Sequence, residues 1–260
     1  MEKKSKRSAA PSKYVPTTKK NYGWLWGLLV VIVVAAVVGV SIWMGVSSNG
    51  KKESGASANL KNAVMQVNTD KGYLEFKSEN LAKGAPVVDL FEDPRCPGCS
   101  EMSKMQGGEF VEAINNGQVI MRIYLLDFLN GQGLSQYSTR ANASLLEVAK
   151  TGDAAATYRY HSILWHNTPP EGRDQHEYTN EELADFAKEA KASKEAVDKI
   201  AAGSVDTIGA AKLAQKNLVE LNKRMDGQGA TPAAFVNGKQ ANAGDPSWLK
   251  NAIKDVTKQK

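Results

Sequence analysis

Twenty-four consecutive residues, Gly23 to Val46 (GWLWGLLVVIVVAAVVGVSIWMGV), carry no charge. A helix of that length crosses the hydrocarbon core of a bilayer with some tilt to spare, and a buried helix of a soluble domain rarely needs so long an uncharged run. Tyr22, Trp24 and Trp26 cluster at one end and Trp43 lies near the other, where interfacial aromatics sit. Residues 1–22 hold seven Lys or Arg against one acid, Glu2. The positive-inside rule therefore places this tail in the cytoplasm and residues 47–260 outside. A cleaved signal peptide is the rival reading, since Ala56-Ser57-Ala58 has the small-x-small form. The apolar run is too long for it, and Lys51, Lys52 and Glu53 intervene before that site. The expectation is one N-terminal transmembrane helix at 23–46, in a single-pass protein of the cell membrane.

The net charge of +5 belongs to the tail: without it, 26 basic and 27 acidic residues remain. The rest of the chain is thus nearly neutral and gives no reason to expect nucleic acid. The tail itself is polar, charged and Pro-containing, which predicts disorder. Residues 47–59, small, polar and glycine-containing, read as a flexible tether. The extracytoplasmic domain should then occupy 60–256.

Within it, Ala63–Asn68 and Tyr73–Lys77 read as strands with a turn at Lys71-Gly72, and Ala85–Glu92 as a buried strand stopped by Asp93-Pro94. A helix from Pro97 to about Gln106 follows, then an amphipathic piece over Glu109–Asn115 closed by Gly117, then a strand at Val119–Phe128. Strand, helix, strand implies a parallel pair. From Leu134 the pattern turns helical. Four helices are expected: one with Tyr137, Ala141, Leu145 and Val148 on a face, and one with Ala154, Tyr158, His161 and Trp165. The third starts at a capping box, Thr179 to Glu182, and the fourth carries Ala211, Ala214, Leu218, Leu221 and Met225. A strand at Ala233–Val236, a turn at Asn237-Gly238 and a helix over Ser247–Val256 complete the chain. The architecture expected is an α/β core, about 60–133 and 227–256, interrupted by a helical insert at about 134–226.

The chain has two cysteines, three residues apart, in Arg95-Cys96-Pro97-Gly98-Cys99. A structural disulfide over so short a loop restricts the unfolded chain very little. A structural zinc site would need a second Cys pair or a matching His pair, and His161, His166 and His176 lack that spacing. The redox reading fits better. Pro97 suits the first position of a helix, which puts Cys96 at the helix N-terminus, where N–H groups and the dipole stabilise a thiolate. Cys99, one turn on, should face the core beside Met102. An exposed Cys96 would then exchange with a partner and a sheltered Cys99 would resolve the mixed disulfide. The histidines read as structural or exposed.

The stretch VVDLFEDPRCPGC, followed much later by GATPAAFVNGK, resembles the DsbA-like branch of the thioredoxin superfamily. Within that branch it resembles the membrane-anchored MdbA-type oxidases of actinobacteria, and the helix YSTRANASLLEVA in the insert fits that branch too. The resemblance spans about 60–256. It implies a thioredoxin fold with an inserted helical domain and a protein disulfide oxidase that acts through Cys96, as nucleophile, and Cys99, as resolving thiol. It further implies that Pro232 is a cis-proline facing the pair, preceded by Thr231, whose backbone meets the substrate. An acidic residue near the buried cysteine, Glu92 or Asp89, would handle its proton. One departure stands out: strongly oxidising members have His in the second spacer position, where this chain has Gly98. A thiol pKa of 3.5 rather than 7 is worth roughly 5 kcal/mol, so the helix terminus and Arg95 would have to compensate for the missing charge, against Asp93 and Glu92.

The same resemblance implies reduced exported proteins as substrates, bound in a groove between the Cys pair, the Thr231-Pro232 loop and part of the insert. The reoxidant would be a membrane quinone-linked enzyme of the DsbB or vitamin K epoxide reductase kind. The redox-active disulfide is the only carrier implied, with no metal or organic cofactor. Two alternatives stay open: a reductase or isomerase of the same fold, and a non-catalytic binding or assembly protein whose cysteines are incidental.

Overall fold

The structure is a computed structural model that describes residues 59–61, 63–68, 70–132, 136–169 and 177–256. The expected tail, the anchor at 23–46, nearly all of the tether and His176 lie outside those residues. Among the described residues no helix is long and apolar enough to cross a membrane.

Among the same residues six strands make one sheet: β1 (Ala63–Asn68), β2 (Tyr73–Ser78), β3 (Val87–Glu92), β4 (Ile120–Leu125), β5 (Ala233–Val236) and β6 (Lys239–Ala241). Their spatial order is β1-β2-β4-β3-β5-β6. β3 is parallel to β4 and antiparallel to β5. A parallel neighbour requires a crossover, and α1 (Pro97–Asn115) supplies it.

Side chains alternate along β3. Val88, Leu90 and Glu92 point to one face, where Leu90 shares a core with Phe76, Met121, Met102 and Phe110. Asp89 and Phe91 point to the other, where Phe91 packs with Tyr124, Phe235 and Leu221. Both faces are covered, so the strand is a nearly unbroken apolar run. Its two acids are buried exceptions that must find partners.

The break expected near Gln106 is absent, and α1 runs unbroken through Gly107-Gly108. Met102, Gln106, Phe110, Ala113 and Ile114 form one buried stripe across the pair. That packing outweighs the ~1 kcal/mol that a glycine costs a helix interior. The helix ends where expected: Gln118 N–H donates to Ala113 O (2.8 Å) and Gly117 N–H to Ile114 O (2.9 Å), a Schellman cap. Gly117 has φ +67°, and a Cβ there would lie 2.1 Å from Asn80 O, so only glycine fits.

The strand expected over Val119–Phe128 is also shorter. β4 stops at Leu125, and Phe128–Gln132 winds into a 3-10 helix. A side-chain acceptor and a tight backbone turn take the chain out of the ladder: Leu129 N–H donates to Asp93 Oδ2 (3.1 Å) and Asn130 N–H to the Asp127 carbonyl (3.1 Å).

Between β4 and β5 lie α2 (Tyr137–Ala149), α3 (Ala154–His166), α4 (Asn180–Glu189), α5 (Lys194–Ala201) and α6 (Thr207–Arg224), one helix more than the sequence pattern predicted. The extra one is α5. At eight residues it is too short for a clear periodicity, and it is held by its Ser193 cap and by burial of Ala196, Val197 and Ile200. The Thr179–Glu182 capping box forms reciprocally at the start of α4. On α6 the buried line runs through Ala210, Leu213, Ala214, Asn217 and Leu221 rather than through Ala211. The closing helix, α7 (Trp248–Ile253), is shorter than the pattern suggested.

Candidate active site

β3 ends at Glu92, and the next four residues deliver Cys96 to the head of α1. Asp93 organises this loop. Its buried carboxylate accepts hydrogen bonds from Arg95 N–H (2.9 Å), Leu129 N–H (3.1 Å) and the Ser138 hydroxyl (2.6 Å), and its carbonyl accepts Cys96 N–H (2.9 Å). Burial, partly opposed by these bonds, raises the Asp93 carboxyl to about 6. Cys96 is the N-cap of α1, with Pro97 in the first turn.

Both cysteines are free thiols. Cys96 Sγ accepts from Cys99 N–H (3.3 Å) and donates to Thr231 O (3.4 Å). The hydrogen bond with the Cys99 thiol is the largest influence on it. With those of the Thr231 side chain and the Cys99 and Gly98 backbone, it outweighs burial and lowers Cys96 from 9.0 to about 7. Cys99 moves the other way. Burial comes first, then the Cys96 hydrogen bond and the charges of Glu92 and Cys96, and together they raise it well above 9.0 despite a pull from the Asp93 backbone.

The expected exposure of Cys96 is not found: it is 5% exposed, and Cys99 0%. The Thr231-Pro232 loop lies over Cys96. β5 pairs with β3 so that Ala233 lies opposite Phe91, which brings the preceding Pro232 to the head of α1 across 135 residues of chain. The Thr231-Pro232 peptide is cis. Gly98 lies against the proline, where a Cβ would sit 2.9 Å from Pro232 Cδ.

Glu92 is 1% exposed and lies on the Cys99 side of the sheet. Its Oε2 is 2.8 Å from Nε2 of His161 on α3, itself 3% exposed. The His161 ring stacks on Trp165, with centroids 4.1 Å apart. The sequence left His161 structural or exposed; only the need of a buried Glu92 for a partner could have pointed toward it. Asp89 is on the opposite face, tied to Arg224 Nη1 at 2.7 Å, and does not reach the cysteines. Arg95, expected to help the thiolate, is paired with Glu177.

A groove of about 650 Å³ opens beside Gly98 and Pro232, with Met102, Met105, Gln240 and Asn242 among its walls. Among the described residues the β5–β6 side lines it, where the helical insert was expected to contribute.

Residues 82–255 match the family described as Thioredoxin. The structure also superposes on the MdbA protein of Corynebacterium diphtheriae, a thiol-disulfide oxidoreductase. The TM-score is 0.65 with 27% identity, over 76% of this chain and 98% of that one. The chain belongs to the thioredoxin family, as a DsbA-like thiol–disulfide oxidoreductase. DsbA from Mycobacterium tuberculosis shares the fold, with a TM-score of 0.58 and 24% identity over 71% of this chain and 92% of that one. A curated relative, the serine/threonine-protein kinase PknE of Mycobacterium tuberculosis, is 30% identical over 169 residues, 64% of this chain. The chain spans 29% of the length of that relative, and the kinase activity in its name belongs to the longer protein.

For a member of this family the arrangement has direct chemical meaning. A Cys96 thiol near 7 is about half thiolate at neutral pH, so it can both attack a disulfide and leave from one. Cys99, raised well above 9.0, keeps its proton at neutral pH.

Proposed function

We propose that the chain donates a Cys96–Cys99 disulfide to reduced exported proteins at the outer face of the cell membrane. Residues 23–46 would hold it there, with 1–22 in the cytoplasm, 47–59 as tether and the catalytic domain outside. The contrast between the two thiols, Cys96 lowered to about 7 and Cys99 raised, carries the exchange chemistry of this reading and leaves its direction to the potential. Substrate thiolate attacks Cys96, Cys99 leaves as thiolate and takes a proton, and a second substrate thiol displaces Cys96. Pro232 and Thr231 present backbone to an extended substrate segment, with the Met102–Met105 groove beside it. Reoxidation falls to a membrane quinone-linked enzyme of the DsbB or vitamin K epoxide reductase type. A shared membrane raises the effective concentration of the two proteins. The cysteine pair is the redox carrier, with no metal or organic cofactor.

One observation favours the milder alternative of a reductase or isomerase. A nucleophile near 7 matches the roughly 7 of thioredoxin rather than the roughly 3.5 of the most oxidising DsbA. Equilibration of the full chain against glutathione buffers, read as the mass shift on thiol alkylation, separates the two. A potential well above the roughly −270 mV of thioredoxin, toward the roughly −120 mV of DsbA, supports the donor; a value at or below −270 mV makes it a reductase. Loss of turnover in Cys96→Ala excludes the binding or assembly alternative, which would keep its function without that cysteine.

A further inference from the structure

His161 is a buried titratable group that the exchange steps above do not use. It comes from the helical insert, yet its Nε2 is 2.8 Å from Glu92 Oε2 at the end of β3. The ring has little freedom: Trp165 stacks on it and Tyr158 flanks it at 5.9 Å. A cavity of about 10 Å³, the scale of one water molecule, touches both Glu92 and His161 and reaches Ser103, Gly107 and Tyr158. A carboxylate and an imidazole packed together in a dry core are costly unless each satisfies the other, and apolar residues could fill the same space.

We propose that His161 is the positioning residue for proton exchange at Cys99: it fixes the Glu92 carboxylate through Oε2, and the adjoining cavity passes the proton onward. The inference rests on Cys96 and Cys99 being the exchanging pair. In the closing step the Cys99 S–H bond breaks and its proton goes to the Glu92 carboxylate. The Cys99 electron pair then forms the bond to Cys96 Sγ, and the S–S bond from Cys96 to its partner breaks. The partner leaves as thiolate and takes a proton from solvent. In the reverse direction Glu92 returns the proton as Cys99 departs.

The groups facing this site are few. β3 contributes Glu92, followed by Asp93; α1 contributes Cys96, Cys99 and Ser103; α3 contributes His161 and Tyr158. Burial first, then the Glu92 charge, drives the Tyr158 phenol far above its ordinary value, so it stays neutral. From β2 and β4, Phe76 lies against Tyr158 and Met121 lines the cavity.

The test uses the reduced full chain in detergent, oxidised by glutathione disulfide and quenched with acid. Mass spectrometry then resolves dithiol, glutathione adduct and disulfide. Formation of the adduct reports Cys96; its conversion to disulfide reports Cys99. In His161→Gln the conversion should slow about tenfold at pH 7, less than the roughly hundredfold or more that a placed acid–base group itself contributes, because Glu92 remains, and its pH profile should move, while adduct formation and melting temperature hold. His166→Gln, on the same helix, is the control and should match the wild type. Unchanged conversion at every pH in His161→Gln overturns the proposal. No adduct on the wild type would instead overturn the exchange reading beneath it. If the variant does not fold, the wild-type ring decides. The His161 ring nitrogen chemical shifts at pH 7 should differ between the dithiol and disulfide forms, and identical shifts overturn the proposal.

Discussion

Gly98 packs so closely on Pro232 that a Cβ at position 98 would stand 2.9 Å from Pro232 Cδ. A proline ring cannot swing aside as a long side chain can, so Gly98→Ala must push the loop away. The Thr231 carbonyl, 3.4 Å from Cys96 Sγ, moves with it. Losing the hydrogen bond of the Thr231 side chain, which favours the thiolate, should raise the Cys96 thiol above about 7. Iodoacetamide rates against pH for Cys96 should therefore show a higher midpoint in Gly98→Ala. Gly98→His displaces the loop equally but adds a cation beside the thiolate, so its midpoint should fall below that of Gly98→Ala. Equal midpoints in wild type and Gly98→Ala would show that the contact does not tune the nucleophile.

The wild-type thiol makes a prediction about stability as well. Cys96 is lowered from 9.0 to about 7 in the folded dithiol form. The stabilisation from its ionisation is complete above the unfolded value and disappears as pH falls through about 7. At its largest it amounts to roughly 2 to 3 kcal/mol. Denaturation of the reduced protein should show a gap between wild type and Cys96→Ser that opens between pH 6 and 9. A gap independent of pH would mean that folding does not stabilise the thiolate.

Asp93 shows the opposite sign. Burial raises its carboxyl from 3.8 to about 6, so its contribution is full below the ordinary value and is lost as pH rises through about 6. Asp93→Asn removes the buried charge but has one acceptor oxygen for three donors, at a cost of about 1 to 3 kcal/mol for each donor left unpaired. The variant should be clearly less stable than wild type at pH 5, with a smaller deficit at pH 8, where the wild type carries the desolvated carboxylate. Denaturant melts at the two pH values measure this, and a deficit that grows toward pH 8 contradicts the assignment.

What the sequence revealed and what it hid divide along the distance over which each signal acts. β1 and β5 were legible because alternation and the Asn237-Gly238 turn are local; both residues of that turn have positive φ, as the hairpin requires. The capping box was legible for the same reason, and Cys96-Pro97 marked the head of α1. The continuity of α1 was hidden because Gly107-Gly108 is a breaker by local propensity, and only the tertiary stripe overrides it. The covering of Cys96 depends on β5 pairing with β3, and the Glu92–His161 contact joins residues 69 positions apart. Arg95 looked like a free cation because nothing near it in sequence announces Glu177. Glu92 and Asp89 are a different case: three positions apart on one strand, they must point to opposite faces, so the period of two alone separates them.

The unbroken α1 makes a last prediction that depends on neither redox chemistry nor the membrane. Gly108 lies in the helix interior, is exposed, and has open space around the direction of a Cβ. Alanine there loses no contact and restricts the unfolded chain, so Gly108→Ala should stabilise the protein by about 0.5 to 1 kcal/mol. For a domain of this size that is a rise of roughly 1 to 4 °C in melting temperature. Cys96 at the head of α1, twelve residues away, is untouched, so the exchange rate with glutathione disulfide should be unchanged. Two separate helical pieces meeting at the glycine pair would respond differently. A left-handed or irregular residue at 108 would make alanine destabilising, and a lowered melting temperature would thus restore the break that the glycine pair suggests.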